Sequence, residues 1–370
     1  MKTKAAVVYE TGKPIEIDEL ELTTPREGEV FVRYTHAGLC HTDMHIALGD
    51  FEARLPLVLG HEGAGIVEEV GPGVSRLKPG DAFICAFIPS CGTCRWCACG
   101  MQSICDMGAG VLNGALLDGR FPMTGRRGEY GALSMIGTFS QYGVVPQYSV
   151  IPVPADVPLE KAVLISCGVP TGFGAAVNSA NVRPGEVVLV YGIGGIGINA
   201  VQGARHAGAG AIIAVDPLAN KREKALELGA THTAADGAEA HELAQELTRG
   251  VGADSAILCA GLTTEDLVRD AFHAIRKGGT VVVVGMNRLS TDSIKVSAGE
   301  MALFRKTIKG SLFGDCNPTA DIPRVVELYR QGLIKVDELV TNTYRLEDIN
   351  QGYADMMEGR NIRGVVVLEH

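Results

Sequence analysis

The sequence predicts an α/β protein in which a doubly wound parallel-sheet domain is inserted into a small β-barrel domain. Short runs rich in Val, Ile and Phe, separated by Pro and Gly turns, fill the first part of the chain and are typical of an antiparallel barrel. From about Gly172 onward, apolar strand-like runs alternate with helical segments, which indicates a parallel sheet covered on both faces. The last segment ends in another strand-like run, and we assign it to the barrel. The barrel domain is thus predicted at residues 1–171 and 312–370, and the inserted domain at residues 172–311.

Composition fits a globular protein of this size and argues against several functional classes. The chain has 370 residues, of which 46% are hydrophobic and 21% charged, as expected for a soluble protein of two domains. The formal net charge of −10, without a basic run, argues against nucleic acid as a partner. No apolar stretch reaches the length of a membrane span. Ten cysteines behind an N-terminus without a secretion signal predict reduced thiols in the cytoplasm.

Within the predicted barrel, residues 89–137 form an excursion that is long for a loop and needs an anchor of its own. It contains the run Cys91-Gly-Thr-Cys94-Arg-Trp-Cys97, followed by Cys105. Four thiols at such short spacings let one loop present four sulfurs to a tetrahedral zinc. The set leaves no obvious place for a substrate, so the sequence predicts a structural zinc. Cys99 lies in the same loop and is not expected to be a ligand.

The inserted domain is predicted to carry a dinucleotide site. The strand-like run 187–191 leads directly into Gly192-Ile-Gly194-Gly195-Ile-Gly197, which opens a helix. In that context the first glycine permits a tight turn, the second lets the backbone approach a pyrophosphate, and the last lets the helix pack on the strand.

The residue at the end of the next strand is expected to decide between NAD and NADP. Asp216 stands there, and a carboxylate at this place accepts hydrogen bonds from the adenosine ribose of NAD and repels the extra phosphate of NADP. The sequence therefore favours NAD(H). Two alternatives stay open: Asp216 could cap a helix instead, and Lys221 either reaches the same ribose or lies in solvent.

Three further phrases are similar to those of the zinc-dependent medium-chain alcohol dehydrogenases: Gly-Leu-Cys40-His-Thr-Asp, Gly-His61-Glu-Gly and Ser-Cys167-Gly-Val-Pro-Thr-Gly. With the cysteine loop and the glycine fingerprint, the resemblance runs from Lys4 to Leu368. It implies a GroES-like β-barrel catalytic domain with an inserted Rossmann domain, two zinc ions per chain, and NAD(H). The implied reaction oxidises a primary aryl or medium-chain aliphatic alcohol to an aldehyde, or reverses this, by hydride transfer to NAD.

The resemblance also assigns roles around a catalytic zinc. Two thiolates and one imidazole, from Cys40, Cys167 and His61, would hold the ion and leave its fourth position open to substrate. Asp43 would orient the imidazole. Glu62 would either ligate the zinc transiently or be satisfied by a nearby base.

Other positions are assigned to proton release, cofactor and substrate. The alcohol proton would leave through the Thr42 hydroxyl, the nicotinamide ribose and a surface histidine, His45. The cofactor would be contacted at its phosphates by His41 and Arg363, and near its nicotinamide by Thr171. An apolar pocket is implied at Phe51, Phe87, Met135, Ile136, Met286 and Leu312.

Local phrases such as residues 87–97 and 199–203 resemble the bacterial nicotinoprotein branch of the family, which keeps NAD(H) bound and is assayed with an artificial nitroso acceptor. A thiol-adduct-dependent formaldehyde dehydrogenase of the same fold is an alternative, since Arg120, Arg126 and Arg127 could form the cationic patch that it needs. A non-catalytic nucleotide-binding or structural protein is a remote alternative, because such relatives lack the zinc ligands.

The expected partners are a small-molecule alcohol or aldehyde and further copies of the chain. The apolar strand 280–285, expected near the edge of the inserted domain, could pair with its copy across a two-fold axis. The resemblance implies a homodimer or a larger even homo-oligomer.

Overall fold

The computed structural model of this chain describes residues 1–285 and 294–370. Its internal contacts divide the chain into two compact units, Met1–Cys167 with Asn317–His370, and Gly168–Cys316. The predicted inserted domain, 172–311, lies inside the second unit. Two separate chain segments thus build the first unit, and one continuous segment builds the second.

The first unit is mainly β and contains a closed barrel. With strands numbered in chain order, the barrel runs β1 (Lys2–Val8), β2 (Glu16–Leu22), β7 (Met123–Gly125), β8 (Gly128–Ala132) and β4 (Leu57–Val58). A second sheet runs β10 (Val150–Pro152), β6 (Ala82–Cys85), β5 (Gly63–Val70), β3 (Glu29–Gly38), β18 (Arg363–Val367) and β17 (Val340–Arg345), and β9 (Tyr142–Pro146) also pairs with β3. All pairs are antiparallel except β4 with β8 and β17 with β18. The barrel part of the predicted fold class is confirmed.

The helices of the first unit are α1 (His41–Leu48), α2 (Arg95–Ala98), α3 (Leu159–Ala162), α10 (Pro318–Arg330) and α11 (Ile349–Met357). Apolar side chains from several strands fill the barrel, among them Val7, Leu20, Met123 and Tyr130, all almost completely buried. Helix α1 leaves β3 through Leu39 and Cys40 and ends at Gly49, whose left-handed backbone (φ 84°) stops the helix. This short helix carries several polar residues of the site described below, among them Thr42, Asp43 and His45.

The second unit is built around one parallel sheet. Its strand order is β13 (His232–Ala234), β12 (Ala211–Val215), β11 (Val187–Tyr191), β14 (Ala253–Leu258), β15 (Ile275–Val283) and β16 (Thr307–Gly310). Its helices are α4 (Gly168–Gly174), which continues as a π-helical turn (Ala175–Ser179), α5 (Gly197–His206), α6 (Ala219–Glu227), α7 (Gly237–Leu247), α8 (Glu265–Ala274) and α9 (Ala298–Leu303). Alternation of strand and helix along one parallel sheet confirms the predicted doubly wound domain.

The core of this sheet follows from its sequence. Central strands such as β11 are nearly continuous apolar runs, as expected when both faces are covered. Leu189, Ile213 and Leu258 are fully buried there, together with Phe272 from α8. The strand order reverses at β11, which pairs with β12 on one side and with β14 on the other, and the carboxyl ends of the strands at such a reversal are where nucleotides bind.

The structure corrects the expected role of strand 280–285. Strand β15 is second from the edge of the sheet and is hydrogen-bonded on both sides, to β14 and to β16, so it cannot pair with a copy of itself. The edge is β16, whose sequence Thr-Ile-Lys-Gly contains a single large apolar residue and therefore gave no strand signal. A charged residue on an edge strand is typical of natural sheets. The even homo-oligomer stays a prediction.

Among the described residues, no single helix is both long and apolar enough to cross a membrane. The bent pair Leu159–Ser166 and Gly168–Ser179 meets that criterion of length and composition only when its two helices are taken together.

Candidate active site

Four ligand side chains from distant parts of the chain meet in the first unit. Ligand atoms of Cys40, His61, Glu62 and Cys167 all lie within 4.8 Å of one another, and all four residues are buried. Cys40 stands directly before α1, the His-Glu pair directly before β5, and Cys167 directly after a short 3-10 turn. The three ligands predicted for a catalytic zinc are therefore brought together, with Glu62 beside them.

The imidazole of His61 is held at one nitrogen only. Its Nδ1 lies 3.2 Å from Asp43 Oδ1, which also accepts a hydrogen bond from the Gly60 backbone N–H at 2.9 Å. Its Nε2 is buried and has no hydrogen-bond partner among the described residues. Burial opposes protonation of this ring, but the neighbouring Asp43 and Cys40 together raise the pKa of His61 well above its usual range. With Nδ1 on a carboxylate, Nε2 is the nitrogen that a metal ion would take.

The two buried thiols are coupled. A hydrogen bond from Cys167 is the main cause that lowers the pKa of Cys40, with His61 and Arg363 adding to it. The same hydrogen bond and burial raise the pKa of Cys167. Without a metal ion, Cys167 therefore keeps its proton more readily than Cys40 does. A metal ion would instead bind both residues as thiolates.

The carboxyl group of Glu62 makes an ion pair with Arg363, which lies at the start of β18. The two side chains are 0% and 6% exposed, and the pair involves Glu62 Oε2. Its other oxygen, Oε1, is buried without a hydrogen-bond partner among the described residues. Burial raises the pKa of Glu62 to about 7, although Arg363 acts to lower it. Oε2 thus has the nearby base that one of the two predicted alternatives requires. Oε1 has no such partner, as the other alternative, transient ligation of zinc, requires.

This donor set fits a zinc ion. Two thiols, an unpartnered imidazole nitrogen and a free carboxylate oxygen are the ligand types that zinc binds in catalytic sites. The buried Nε2 and Oε1 would otherwise remain polar atoms without partners in an apolar interior, which is unfavourable.

The predicted proton-relay residues lie on α1. Thr42 is half-buried, and its hydroxyl accepts a hydrogen bond from the Cys40 thiol at 3.7 Å. His45 is one helical turn further along the same face, and its Nδ1 lies 2.9 Å from Asp50 Oδ2. His41, predicted to contact the cofactor phosphates, is exposed in the first turn of this helix.

The four cysteines of the excursion also cluster. The sulfurs of Cys91, Cys94, Cys97 and Cys105 lie within 4.8 Å of one another. Backbone N–H groups of Thr93 and Cys94 point at Cys91 Sγ and lower the pKa of that thiol to about 6. The N–H of Cys97 likewise lowers the pKa of Cys94. Backbone donors around closely spaced sulfurs are what a thiolate zinc site requires. Cys99 is exposed and is not a member of the cluster.

The glycine fingerprint in the second unit has the expected backbone geometry. Gly192 follows β11 with φ 83°, and a Cβ there would lie 2.6 Å from the backbone of Ala260. A Cβ on Gly197 would lie 1.9 Å from the Gly192 carbonyl oxygen. Around Gly194 nothing lies within 4 Å of the Cβ position, and Gly195 completes the turn before α5. This pattern, closed at both ends and open at Gly194, fits the approach of a pyrophosphate.

Asp216 is tied to this fingerprint. Its Oδ2 accepts a hydrogen bond from the Ile193 N–H at 2.8 Å, and its Oδ1 accepts one from the Leu218 N–H at 3.0 Å. The N-cap residue of α6 is Leu218, so the carboxylate is not the residue that caps that helix. Burial lowers the pKa of Lys221, and Asp216 opposes this, which indicates that the lysine is half-covered beside the carboxylate.

The predicted pocket residues fall into different surroundings. The ring of Phe87 contacts the His61 ring edge to face, with centroids 5.6 Å apart, and Phe51 contacts His45 in the same way at 5.7 Å. Met135 and Ile136 are 2% and 0% exposed, and Met135 packs into the barrel core. In the second unit, Thr171 is buried in α4 and Leu312 is 43% exposed. Met286 lies outside the described residues.

Two polar neighbours of the site were not predicted from the sequence. One is Asp50, the partner of His45. The other is Tyr353 on α11, whose hydroxyl is buried without a hydrogen-bond partner among the described residues. Burial and the nearby Asp43 raise the pKa of Tyr353 well above its usual range. Neither residue belongs to a motif with a recognisable spacing. For Asp50, the only signal in the sequence is the preceding Gly49, a residue type that often ends a helix.

Known proteins resemble the chain over its whole length. A family model described as "alcohol dehydrogenase GroES-like domain" matches residues 26–155, and one described as "zinc-binding dehydrogenase" matches residues 195–331. The NDMA-dependent alcohol dehydrogenase of Amycolatopsis methanolica is 55% identical over 367 residues, which cover 99% of each chain.

Solved structures agree with these matches. An alcohol dehydrogenase zinc-binding domain protein from Burkholderia ambifaria is 36% identical with a TM-score of 0.93. The benzyl alcohol dehydrogenase of Acinetobacter calcoaceticus is 30% identical with a TM-score of 0.92. Each likeness covers 100% of both chains. Two domain models, a close relative and two structures thus agree with the metal clusters and the fingerprint, and the chain belongs to the zinc-dependent alcohol dehydrogenases, a family of oxidoreductases.

Proposed function

We propose that this enzyme interconverts primary alcohols and aldehydes, with a zinc ion at Cys40, His61 and Cys167 and NAD(H) at the glycine fingerprint. The observation that carries the proposal is the buried ligand cluster in which His61 Nε2 has no hydrogen-bond partner. A second zinc ion at the four-cysteine cluster, which offers only sulfur ligands, would stabilise its loop.

When bound, zinc supplies a Lewis acid for the alcohol oxygen and NAD supplies a hydride acceptor. The residues of the chain do the rest. Asp43 fixes the ring of His61 so that Nε2 stays available as a ligand. Arg363 places a positive charge near Glu62, Cys40 and Cys167, all of which raise the pKa of this guanidinium against the effect of burial. The buried site thereby tolerates two thiolates.

Proton release is assigned to α1. Thr42 stands two residues after Cys40, and its hydroxyl contacts the Cys40 thiol. His45 is one turn nearer to solvent, with 18% of its side chain exposed. A hydroxyl inside and an imidazole outside are suited to passing the alcohol proton outward.

We assign the substrate to the class of aryl and medium-chain primary alcohols. The ring of Phe87 stands against the metal-binding imidazole, and Phe51 stands against the relay imidazole. Aromatic side chains at these two places favour an apolar substrate over a sugar. The likeness to a benzyl alcohol dehydrogenase supports the same class.

We further propose that NAD(H) stays bound between turnovers and is recycled in place. Support comes from the 55% identity, over almost the full chain, with a relative that is named NDMA-dependent. The test is turnover of benzyl alcohol by purified protein, with free NAD in one cuvette and the nitroso acceptor NDMA in the other. Turnover with NDMA alone is the expected result. Accumulation of free NADH would overturn retention but keep the reaction, and no turnover with either acceptor would overturn the reaction itself.

The formaldehyde dehydrogenase alternative loses two of its three supporting residues. Arg120 makes a two-fold ion pair with Glu29 at 2.6 and 2.7 Å, and its side chain is 14% exposed. Arg126 pairs with Glu16 and Asp18, and Arg127 lies over the Tyr9 ring. Arg120 and Arg126 already pair with carboxylates of this chain, so these two do not offer free guanidinium groups for the carboxylates of a thiol carrier.

A further inference from the structure

The turn that ends α1 places Asp50 beside His45. Gly49 adopts the left-handed conformation, its N–H bonds the Ile46 carbonyl at 3.1 Å, and the Asp50 N–H bonds the His45 carbonyl at 2.8 Å. This pair of hydrogen bonds is the Schellman motif, which folds the chain back over the last helical turn. The backbone of Asp50 alone completes the motif, so its carboxylate is not needed to end the helix.

The carboxylate instead binds the side chain of His45. Asp50 Oδ2 lies 2.9 Å from His45 Nδ1, and each side chain is only 18% exposed. The next residue, Phe51, is 6% exposed and stands edge to face against the same imidazole at 79°. The ring is therefore held at one nitrogen by a charge-assisted hydrogen bond and at one side by an aromatic ring.

This contact decides which ring nitrogen can take up a proton. An ionised carboxylate only accepts hydrogen bonds, so His45 Nδ1 must carry the hydrogen. In the neutral imidazole the lone pair then resides on Nε2. A histidine at the outer end of a proton path needs such a free nitrogen.

We propose that Asp50 is a positioning residue for proton release: it fixes His45 in the tautomer whose Nε2 accepts the proton that leaves the alcohol. On uptake, the ring becomes an imidazolium that keeps its Nδ1–H bond to Asp50, and Nε2 then gives the proton to water. The proposal rests on the alcohol dehydrogenase function proposed above, because it gives His45 a proton to carry.

The test replaces the carboxylate with its amide. Asp50→Asn keeps size and backbone, but its NH2 group can donate to Nδ1 and so favours the opposite tautomer, with hydrogen on Nε2. In 15N-labelled protein, with the His45 signal assigned from His45→Gln, the ring hydrogen should move from Nδ1 to Nε2. Alcohol turnover with NDMA should fall by roughly tenfold to a hundredfold, with KM nearly unchanged, since only proton transfer is impaired.

Two further variants separate this role from simple stabilisation. Asp50→Glu retains a carboxylate, so it should keep the hydrogen on Nδ1 and recover most of the turnover. Glu52→Gln removes an exposed carboxylate two positions further along, and tautomer and turnover should both stay at wild-type levels.

An unchanged tautomer with unchanged turnover in Asp50→Asn would overturn the proposal, and so would equal losses in Asp50→Asn and Asp50→Glu. Wild-type protein without any alcohol turnover would overturn the proposed function instead. The ring signals would still decide whether Asp50 fixes His45, so the two failures are distinguishable.

Discussion

Glu62 and Arg363 form an ion pair although 301 positions separate them and both side chains are almost completely buried. The backbone is shaped around this pair: a Cβ on Gly38, in β3, would lie 2.1 Å from Glu62 Oε2. A buried carboxylate is costly without its partner, because desolvation is no longer offset by the opposite charge.

Removal of the arginine should therefore destabilise the first unit. We expect Arg363→Gln to lower the free energy of unfolding by about 3–5 kcal/mol, measured by urea denaturation, because Glu62 is left buried and unpaired. The matched control is Arg345→Gln, which breaks an ion pair with Asp348 in which both side chains are well exposed, and should change stability little. Equal losses of unfolding free energy in the two variants would show that the effect does not come from burial of the Glu62–Arg363 pair.

Cys40→Ser should abolish alcohol turnover and leave the fold intact. The substitution removes one of the clustered ligands at the start of α1 without changing the size of the side chain much. Metal analysis should find one zinc ion per chain instead of two, and circular dichroism should be unchanged. Persisting turnover would refute the assignment of the catalytic metal.

The four-cysteine loop offers a matched pair of variants. Cys97 is 4% exposed inside the cluster, whereas Cys99 is exposed outside it. Cys97→Ser should lose the structural zinc and lower the thermal midpoint, because the ion closes a long excursion. Cys99→Ser should keep two zinc ions and the wild-type midpoint. A loss of zinc from both variants would mean that Cys99 also belongs to the zinc site.

Asp216→Asn should weaken NAD(H) binding. It should also reduce the ratio by which the protein binds NAD(H) more tightly than NADP(H). One carboxylate oxygen accepts from the Ile193 N–H and the other from the Leu218 N–H, and an amide would place an NH2 group against one of these two donors. We expect a loss on the order of 1.5–3 kcal/mol, which is tenfold or more in Kd measured by fluorescence titration with NADH. Asp236→Asn, which alters the N-cap of α7 in the same unit, is the control and should leave both affinities unchanged.

Low pH should weaken the contact between α11 and β17, in which the Tyr344 hydroxyl donates a hydrogen bond to Asp355. Hydrogen bonds from Tyr344, Arg360 and Gln351 lower the pKa of Asp355 to about 2 from its ordinary value of 3.8. Because the folded pKa is the lower one, this stabilisation is present above the ordinary value and is lost as pH falls towards 2. Tyr344→Phe should thus lower the urea midpoint at pH 7 and converge with wild type near pH 2. A constant difference across that range would contradict the role of Asp355.

The parts of the site that depend on local sequence could be predicted. The cysteines of residues 91–105 are close along the chain, so their spacing alone indicated a zinc loop, and the glycine turn follows directly from a strand into a helix. The ligands Cys40, His61 and Cys167 have no such spacing, and only the family phrases around them identified the set.

Contacts set by the tertiary fold could not be predicted. The partner of Glu62 comes from the last strand, and the partner of His45 lies beyond the helix, where no periodic pattern points. The stretch between β12 and β14 gave no assigned elements, yet it contains α6, β13 and α7. Strand β13 has three residues and edge strand β16 has four, so neither offers a hydrophobic alternation long enough to recognise.

The split origin of the first unit has a consequence for biosynthesis. A chain made from its N-terminus presents every ligand of both metal clusters by residue 167, long before Arg363 exists. Until β18 is synthesised and inserted between β3 and β17, Glu62 has no counter-charge and the sheet behind the ligands is incomplete. The loop of cysteines can therefore bind its ion before β18 is made, whereas the catalytic centre is complete only after β18 has been synthesised and paired.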